Sequence, residues 1–164
     1  MTFDALPALR PLVENGVRFV VIGGVAAQLR GSPSLTGDLD ICYARDDDDL
    51  ERLAVVLRSI NATLRGADEG VPFILDAKTL KRGDSFTFDT DAGKFDCLGT
   101  PSGTEGYKEL IVNASPMDIG DLEVMVASLD DVMRMKRAAG RPKDRVELEI
   151  LGALRDELER RGEL

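Results

Sequence analysis

The sequence predicts a single α/β (α+β) domain over residues 1–164, a mixed sheet of about five strands with helices packed against it. Three observations carry that expectation. Short β-branched or alternating runs, foremost VRFVVI at 17–22 and DLDICYA at 38–44, are interleaved with amphipathic helical runs. Turn residues separate these runs at short intervals, with no internal repeat, low-complexity stretch or interdomain linker. The balance of 43% hydrophobic to 31% charged residues is that of a protein able to bury a core without disulfide or metal staples. The core is expected over about residues 17–144, with a C-terminal helix over 142–160.

Taken in order, Thr2 to Asn15 carries Leu6, Leu9, Leu12 and Val13 at near-helical spacing, and Asn15-Gly16 is a stop signal. Pro7 and Pro11 predict that this helix is short or broken. Val17 to Ile22 reads as a buried strand, broken by Gly23-Gly24, after which VAAQLR forms a short helix. Gly31 to Gly37 is a loop. Asp38 to Ala44 alternates acid and apolar residues, the mark of a strand with one polar face. Asp46 to Asp49 then open a helix through Leu50, Leu53, Val56, Leu57 and Ile60. Acids in a first turn favour the positive helix end, so they read as a solvent-side helix start rather than a metal site. A short helix is expected near Asp76 to Lys81. SFTFDT and KFDCLG flank Asp91-Ala92-Gly93 as a hairpin. Gly103 to Asn113 reads as helical, and Met117–Ile119 and Leu122–Val126 as short strands around Gly120-Asp121. Helices close the sequence at Leu129–Ala139 and Pro142–Arg160, with Gly140 as stop and Pro142 in a first-turn position.

The sequence has no histidine, which excludes Ser-His-Asp and Cys-His hydrolases, His-ligated zinc and an imidazole base. Proton transfer would fall to a carboxylate, lysine, tyrosine or metal-activated water. Cys42 and Cys97 are too few for a disulfide framework or a four-ligand zinc site, and read as small core residues. A net charge of −9 disfavours broad attraction to nucleic acid but leaves room for a local basic patch. The start MTFDALPAL lacks a basic region before an apolar run, and Phe19 to Leu29 is short of the roughly 20 residues a bilayer span needs. A cytoplasmic protein, with no membrane partner, is expected.

The chemistry concentrates in one constellation. A strand repeats every two residues, so Asp38 and Asp40 share a face. Two adjacent carboxylates repel unless a cation lies between them, and Mg²⁺ or Mn²⁺ prefers such oxygen ligands together with phosphates. D-x-D alone is weak evidence in so acidic a protein, and a solvated strand face is the plainer alternative. Asp96 adds a third acid within an apolar strand, where a carboxylate needs a partner. Gly23-Gly24 opens a helix where backbone N–H groups favour anions, although a tight turn would explain the pair equally well. Lys136, Arg137, Arg141, Lys143 and Arg145 form a local basic run suited to a triphosphate, or to the C-terminal end of a helix dipole.

VVIGG (Val20 to Gly24), DLDI (Asp38 to Ile41) and FDC (Phe95 to Cys97), in that order, resemble the signature of the polymerase-β-like nucleotidyltransferases. The resemblance is closer to small bacterial stand-alone members related to abortive-infection toxins. In these, GG-x-A leads to T-x-D-[LI]-D, here Thr36 to Asp40, and a later segment is similar to SLDDVMRMKRAAGRPKD, here Ser128 to Asp144. Together the matches span about Val17 to Asp144. The resemblance implies that Asp38, Asp40 and Asp96 are catalytic metal ligands for Mg²⁺ or Mn²⁺, with Asp96 also the general base. It implies further that Gly23, Gly24, Thr36 and Lys136 bind the NTP. Relatives often carry His and Arg at positions matching Arg30 and Ser34, so Ser34 lacks one expected basic contact. Arg30, Arg141 and Lys143 are the expected phosphate or acceptor contacts. The implied acceptor is RNA or protein in a toxin–antitoxin or phage-defence setting, with a cognate toxin or antitoxin as partner. The alternatives are an aminoglycoside- or lincosamide-type antibiotic acceptor and a non-catalytic module binding a nucleotide or partner. The protein is also expected to lack the extra helical domain of larger members.

Overall fold

A computed structural model describes residues 3–67 and 73–164. In sequence order run α1 (Leu6–Glu14), β1 (Phe19–Ile22), α2 (Gly23–Leu29), β2 (Asp38–Tyr43), α3 (Asp47–Ser59), β3 (Thr63–Leu64) and α4 (Ala77–Arg82). There follow β4 (Ser85–Thr90), β5 (Gly93–Leu98), α5 (Tyr107–Asn113), β6 (Ser115–Ile119), β7 (Leu122–Val126), α6 (Leu129–Ala139) and α7 (Pro142–Arg160). The strands form one mixed sheet in the order β3-β4-β5-β2-β1-β7-β6. Among the described residues it has seven strands where about five were expected; the two-residue β3 is the one that gave no periodic signal. Among the described residues no helix is long and apolar enough to cross a membrane.

The sheet centre explains the pattern of burial. All four residues of β1 are buried, as a strand covered on both faces requires. Strand β2 buries Leu39 and Ile41 completely while Asp38 and Asp40 are half-buried on the other face. It lies antiparallel to β1 and parallel to β5, and that double pairing delivers the acids to one place. Helix α2 packs on β2 and α6, and α6 packs on α7, while α3 packs on α1 and α4.

Several boundaries differ from the expectation for physical reasons. The first helix is continuous from Leu6 to Glu14 despite Pro11 inside it, because Pro7 falls in its first turn and only one interior donor is lost; Thr2 lies outside the described residues. Helix α5 starts at Tyr107 rather than Gly103, since Gly103 and Gly106 both take positive φ. Strand β6 extends back through Pro116, which an edge strand tolerates. Of the acids opening α3, Asp49 is buried rather than solvent-facing, and its carboxylate pairs with Arg18 at 2.6 Å. The hairpin forms as expected, Thr90 opposing Gly93 across Asp91-Ala92.

Candidate active site

Register assembles the acids. Asp40 sits opposite Asp96 in the parallel β2–β5 ladder, and directly opposed residues share a face. Asp38 lies two residues earlier on that same face. One carboxylate oxygen from each of Asp38, Asp40 and Asp96 falls within 4.8 Å of the others. The antiparallel β1–β2 pairing places Ile22 opposite Asp40, so the backbone leaves β1 beside the acids and turns into α2.

That turn is built on glycine. Gly23 has φ +66, and a Cβ there would overlap the Asp40 carboxylate. A Cβ on Gly24 would stand 2.6 Å from Thr36 Oγ1. The Thr36 hydroxyl lies 3.3 Å from both the main-chain oxygen and Oδ1 of Asp38. Both glycines are therefore demanded by neighbouring site residues, a stronger reason than phosphate access alone. In this structure the Thr36 hydroxyl is engaged with Asp38.

The triad opens onto a cavity of about 820 Å³ between α2, α6, α7 and the loop before β2. Gly23, Gly24, Thr36, Lys136, Arg141 and Lys143 all border it, together with the three acids. Arg30 does not. Its guanidinium is turned to the end of β7, where Nε donates to Ala127 O at 3.0 Å and Nη2 to Val126 O at 2.9 Å and Ser115 Oγ at 2.8 Å. The expectation that Arg30 contacts phosphate or acceptor is thereby corrected: its Nε and Nη2 donate to the C-terminal end of β7 and to Ser115, and burial lowers its pKa. Ser34 itself borders the cavity, as does Glu147, which makes no ion pair among the described residues.

Electrostatics set the triad apart from ordinary surface acids. Burial, then the charges of Asp38 and Asp96, push Asp40 up to about 8, against the opposing pull of Lys136. Burial also raises Asp96, with Arg65 opposing it. Asp40 Oδ1 and Asp96 Oδ1 are buried without an aligned hydrogen-bond donor among the described residues. Orphaned carboxylate oxygens of this kind are costly unless a cation meets them. The donor set is therefore a fit for a divalent metal: hard oxygens, converging, with Asp96 Oδ1 met only by the Arg65 ion pair and Asp40 Oδ1 by no donor among the described residues. Arg141 is steered by Asp144, which accepts from Arg141 Nε at 2.8 Å and from Arg141 N at 3.1 Å. Burial by itself would raise Asp144, yet those bonds hold it below its ordinary value.

One site residue gave no sequence signal. Arg65, just beyond β3, places Nη2 3.2 Å from Asp96 Oδ1. Only the register of a two-residue strand reveals it.

The sequence matches no family model and no curated protein. The structure is similar to the lincosamide antibiotic adenylyltransferase LnuA in its lincomycin-bound form, with a TM-score of 0.59 at 12% identity, covering 91% of this protein and 94% of that one. It is also similar to a Thermotoga maritima protein assigned as a nucleotidyltransferase, with a TM-score of 0.55 at 18% identity, covering 94% of this protein and 92% of that one. The fold is a nucleotidyltransferase fold.

Proposed function

We propose that the protein is a metal-dependent nucleotidyltransferase that moves an NMP from an NTP, ATP included, to an acceptor hydroxyl. The observation that carries this reading is the convergence of the Asp38, Asp40 and Asp96 carboxylates within 4.8 Å, on the wall of a cavity bordered by Lys136 and Arg141. Asp38, Asp40 and Asp96 would hold Mg²⁺ or Mn²⁺. Such ions neutralise triphosphate charge and acidify an acceptor hydroxyl. Lys136, Arg141 and Lys143 supply positive charge to the triphosphate, with backbone N–H groups of Gly23 and Gly24 at the start of α2. The acceptor oxygen bonds to the α-phosphorus, the bond to the bridging oxygen breaks, and pyrophosphate leaves. Asp96 takes the acceptor proton, because no histidine exists to do so. Catalysis is then mostly positioning and charge stabilisation.

The acceptor proposed first is RNA or protein, in a toxin–antitoxin or defence setting, as the sequence resemblance implies. A second reading is favoured by a specific observation. The cavity mouth carries exposed Leu35 and Val146 beside Glu147, a lining suited to a small cationic molecule with an apolar face. A neighbour that matches over nearly its whole length binds lincomycin. To test both, α-labelled ATP, CTP, GTP and UTP are incubated with Mg²⁺ or Mn²⁺ and, in turn, cellular RNA, cellular protein and lincomycin. Label is expected on one acceptor class with the wild type and on none with Asp40→Ala, circular dichroism serving to check that the variant is folded. Near-normal transfer by Asp40→Ala would sink the assignment of the triad. Clear NTP binding with no transfer to any acceptor would favour the non-catalytic reading.

A further inference from the structure

We infer that Arg65 is a positioning residue for Asp96, an inference that rests on the metal-site reading of the triad. Thr63 opposes Asp89 and Leu64 opposes Phe88 in the antiparallel β3–β4 pair, and Arg65 N continues the ladder by donating to Thr87 O at 2.9 Å. Thr87 in turn opposes Asp96 on β5, and Asp96 opposes Asp40 on β2. Arg65, Thr87, Asp96 and Asp40 thus form one row across four strands. Residues in such a row project from the same face of the sheet.

A long side group in that row reaches across its neighbour when the neighbour is small, and Thr87 is small. The Arg65 guanidinium accordingly passes over Thr87 to Asp96 Oδ1, at 3.2 Å. The same Nη2 donates to Phe88 O at 2.8 Å, and Nε lies 3.4 Å from Asp89 Oδ1, so main-chain and side-chain acceptors of β4 hold the guanidinium in place. The contact with Asp96 is an ion pair rather than an aligned hydrogen bond, so Oδ1 keeps lone pairs for another ligand. Arg65 therefore restrains the third carboxylate without consuming it. It comes from the edge of the sheet, whereas Lys136 comes from α6.

Arg65 also repels an incoming cation, and magnitudes decide the net sign. Its side chain is 28% exposed, so solvent screens its field at distance, while its direct hold on the 18% exposed Asp96 is screened less. Partners that orient metal-binding carboxylates are typically worth about 10–100-fold in metal affinity or activity. The orienting effect wins.

The test measures Mn²⁺ binding by calorimetry on the nucleotide-free protein, alongside kcat and NTP KM. Wild type is expected to bind Mn²⁺ and Asp40→Asn to lose that binding, which secures the metal site independently of Arg65. Arg65→Gln is then expected to weaken Mn²⁺ binding and lower kcat, each by about 10-fold or more, with NTP KM nearly unchanged. Arg65→Lys, which keeps the charge and the stem and so retains the fold, is expected to fall between the two. A merely structural tie between β3 and β4 would lower the melting temperature yet leave Mn²⁺ affinity and kcat at wild-type values in both variants, and that result overturns the inference. Absence of Mn²⁺ binding in the wild type overturns the metal-site reading itself.

Discussion

At Gly23 a hydrogen in place of a methyl group keeps the Asp40 carboxylate where it is. The residue has φ +66, and a Cβ would occupy the same space as that carboxylate. Gly23→Ala therefore meets two penalties at once, the left-handed backbone and the displaced acid. The backbone cost alone is about 1–3 kcal/mol. Shifting a catalytic carboxylate by about 1 Å costs on the order of 100-fold in rate. Steady-state assays of folded Gly23→Ala should show kcat reduced by about that factor, and wild-type kcat would show that Asp40 has room to spare. The acids themselves were legible because residues along a strand alternate faces with period two, which puts Asp38 and Asp40 together without any knowledge of the fold. Asp96 was legible as an acid out of place in an apolar strand and as the centre of the FDC segment. Arg65 was not legible, since which residue opposes Thr87 depends on a ladder two residues long. Arg30 misled because a basic residue near a candidate site in sequence can still spend its donors on the main chain of another strand.

At the scale of elements, α7 shows how a helix start becomes part of the cavity wall. Arg141 occupies the cap position, Pro142 follows, and the carboxylate of the buried Asp144 turns back onto the Arg141 backbone and guanidinium. Arginine is a poor capping residue, so Asp144 satisfies the helix end in its place. Asp144→Ala should cost about 1–2 kcal/mol, read from the denaturant midpoint. It should also raise NTP KM, because Arg141 loses the group that aims it beside the triad. A change in stability with KM unmoved would show that Arg141 does not meet the nucleotide. The sequence marked this helix well, from Pro142 to Arg160, because proline and glycine punctuate both it and α6. It marked β3 not at all, and placed the start of α5 four residues early, because short elements are set by tertiary pairing and by backbone φ rather than by periodicity.

Over the whole molecule, Asp40 and Asp96 make stability depend on pH in a direction opposite to that of most carboxylates. Asp40 is pushed up to about 8 in the folded protein, first by burial and then by Asp38 and Asp96, and Asp96 is raised as well. In the unfolded state an aspartate loses its proton near pH 4. Between about pH 4 and pH 8 the native state thus binds more protons than the unfolded one, and stability falls as pH rises. The loss is on the order of a few kcal/mol at pH 8, with each kcal/mol worth about 2–4 °C for a protein of this size. No histidine titrates in this window, so apart from the α-amino group the trend belongs to Asp40 and Asp96. Metal-free wild type should therefore melt several degrees lower at pH 8 than at pH 5. Asp40→Asn, with no charge to bury, should flatten that slope and outlast wild type at pH 8. Saturating Mn²⁺ should restore the wild type most at pH 8, where Asp40 is losing its proton and is repelled by its neighbours unless a cation joins them, and least at pH 5, where protons compete. The measurement is a set of thermal melts on chelator-treated protein. A metal-free wild-type profile parallel to that of Asp40→Asn would mean that the three acids are solvated well enough to need no cation, and the case for a metal-dependent enzyme would lose its physical basis.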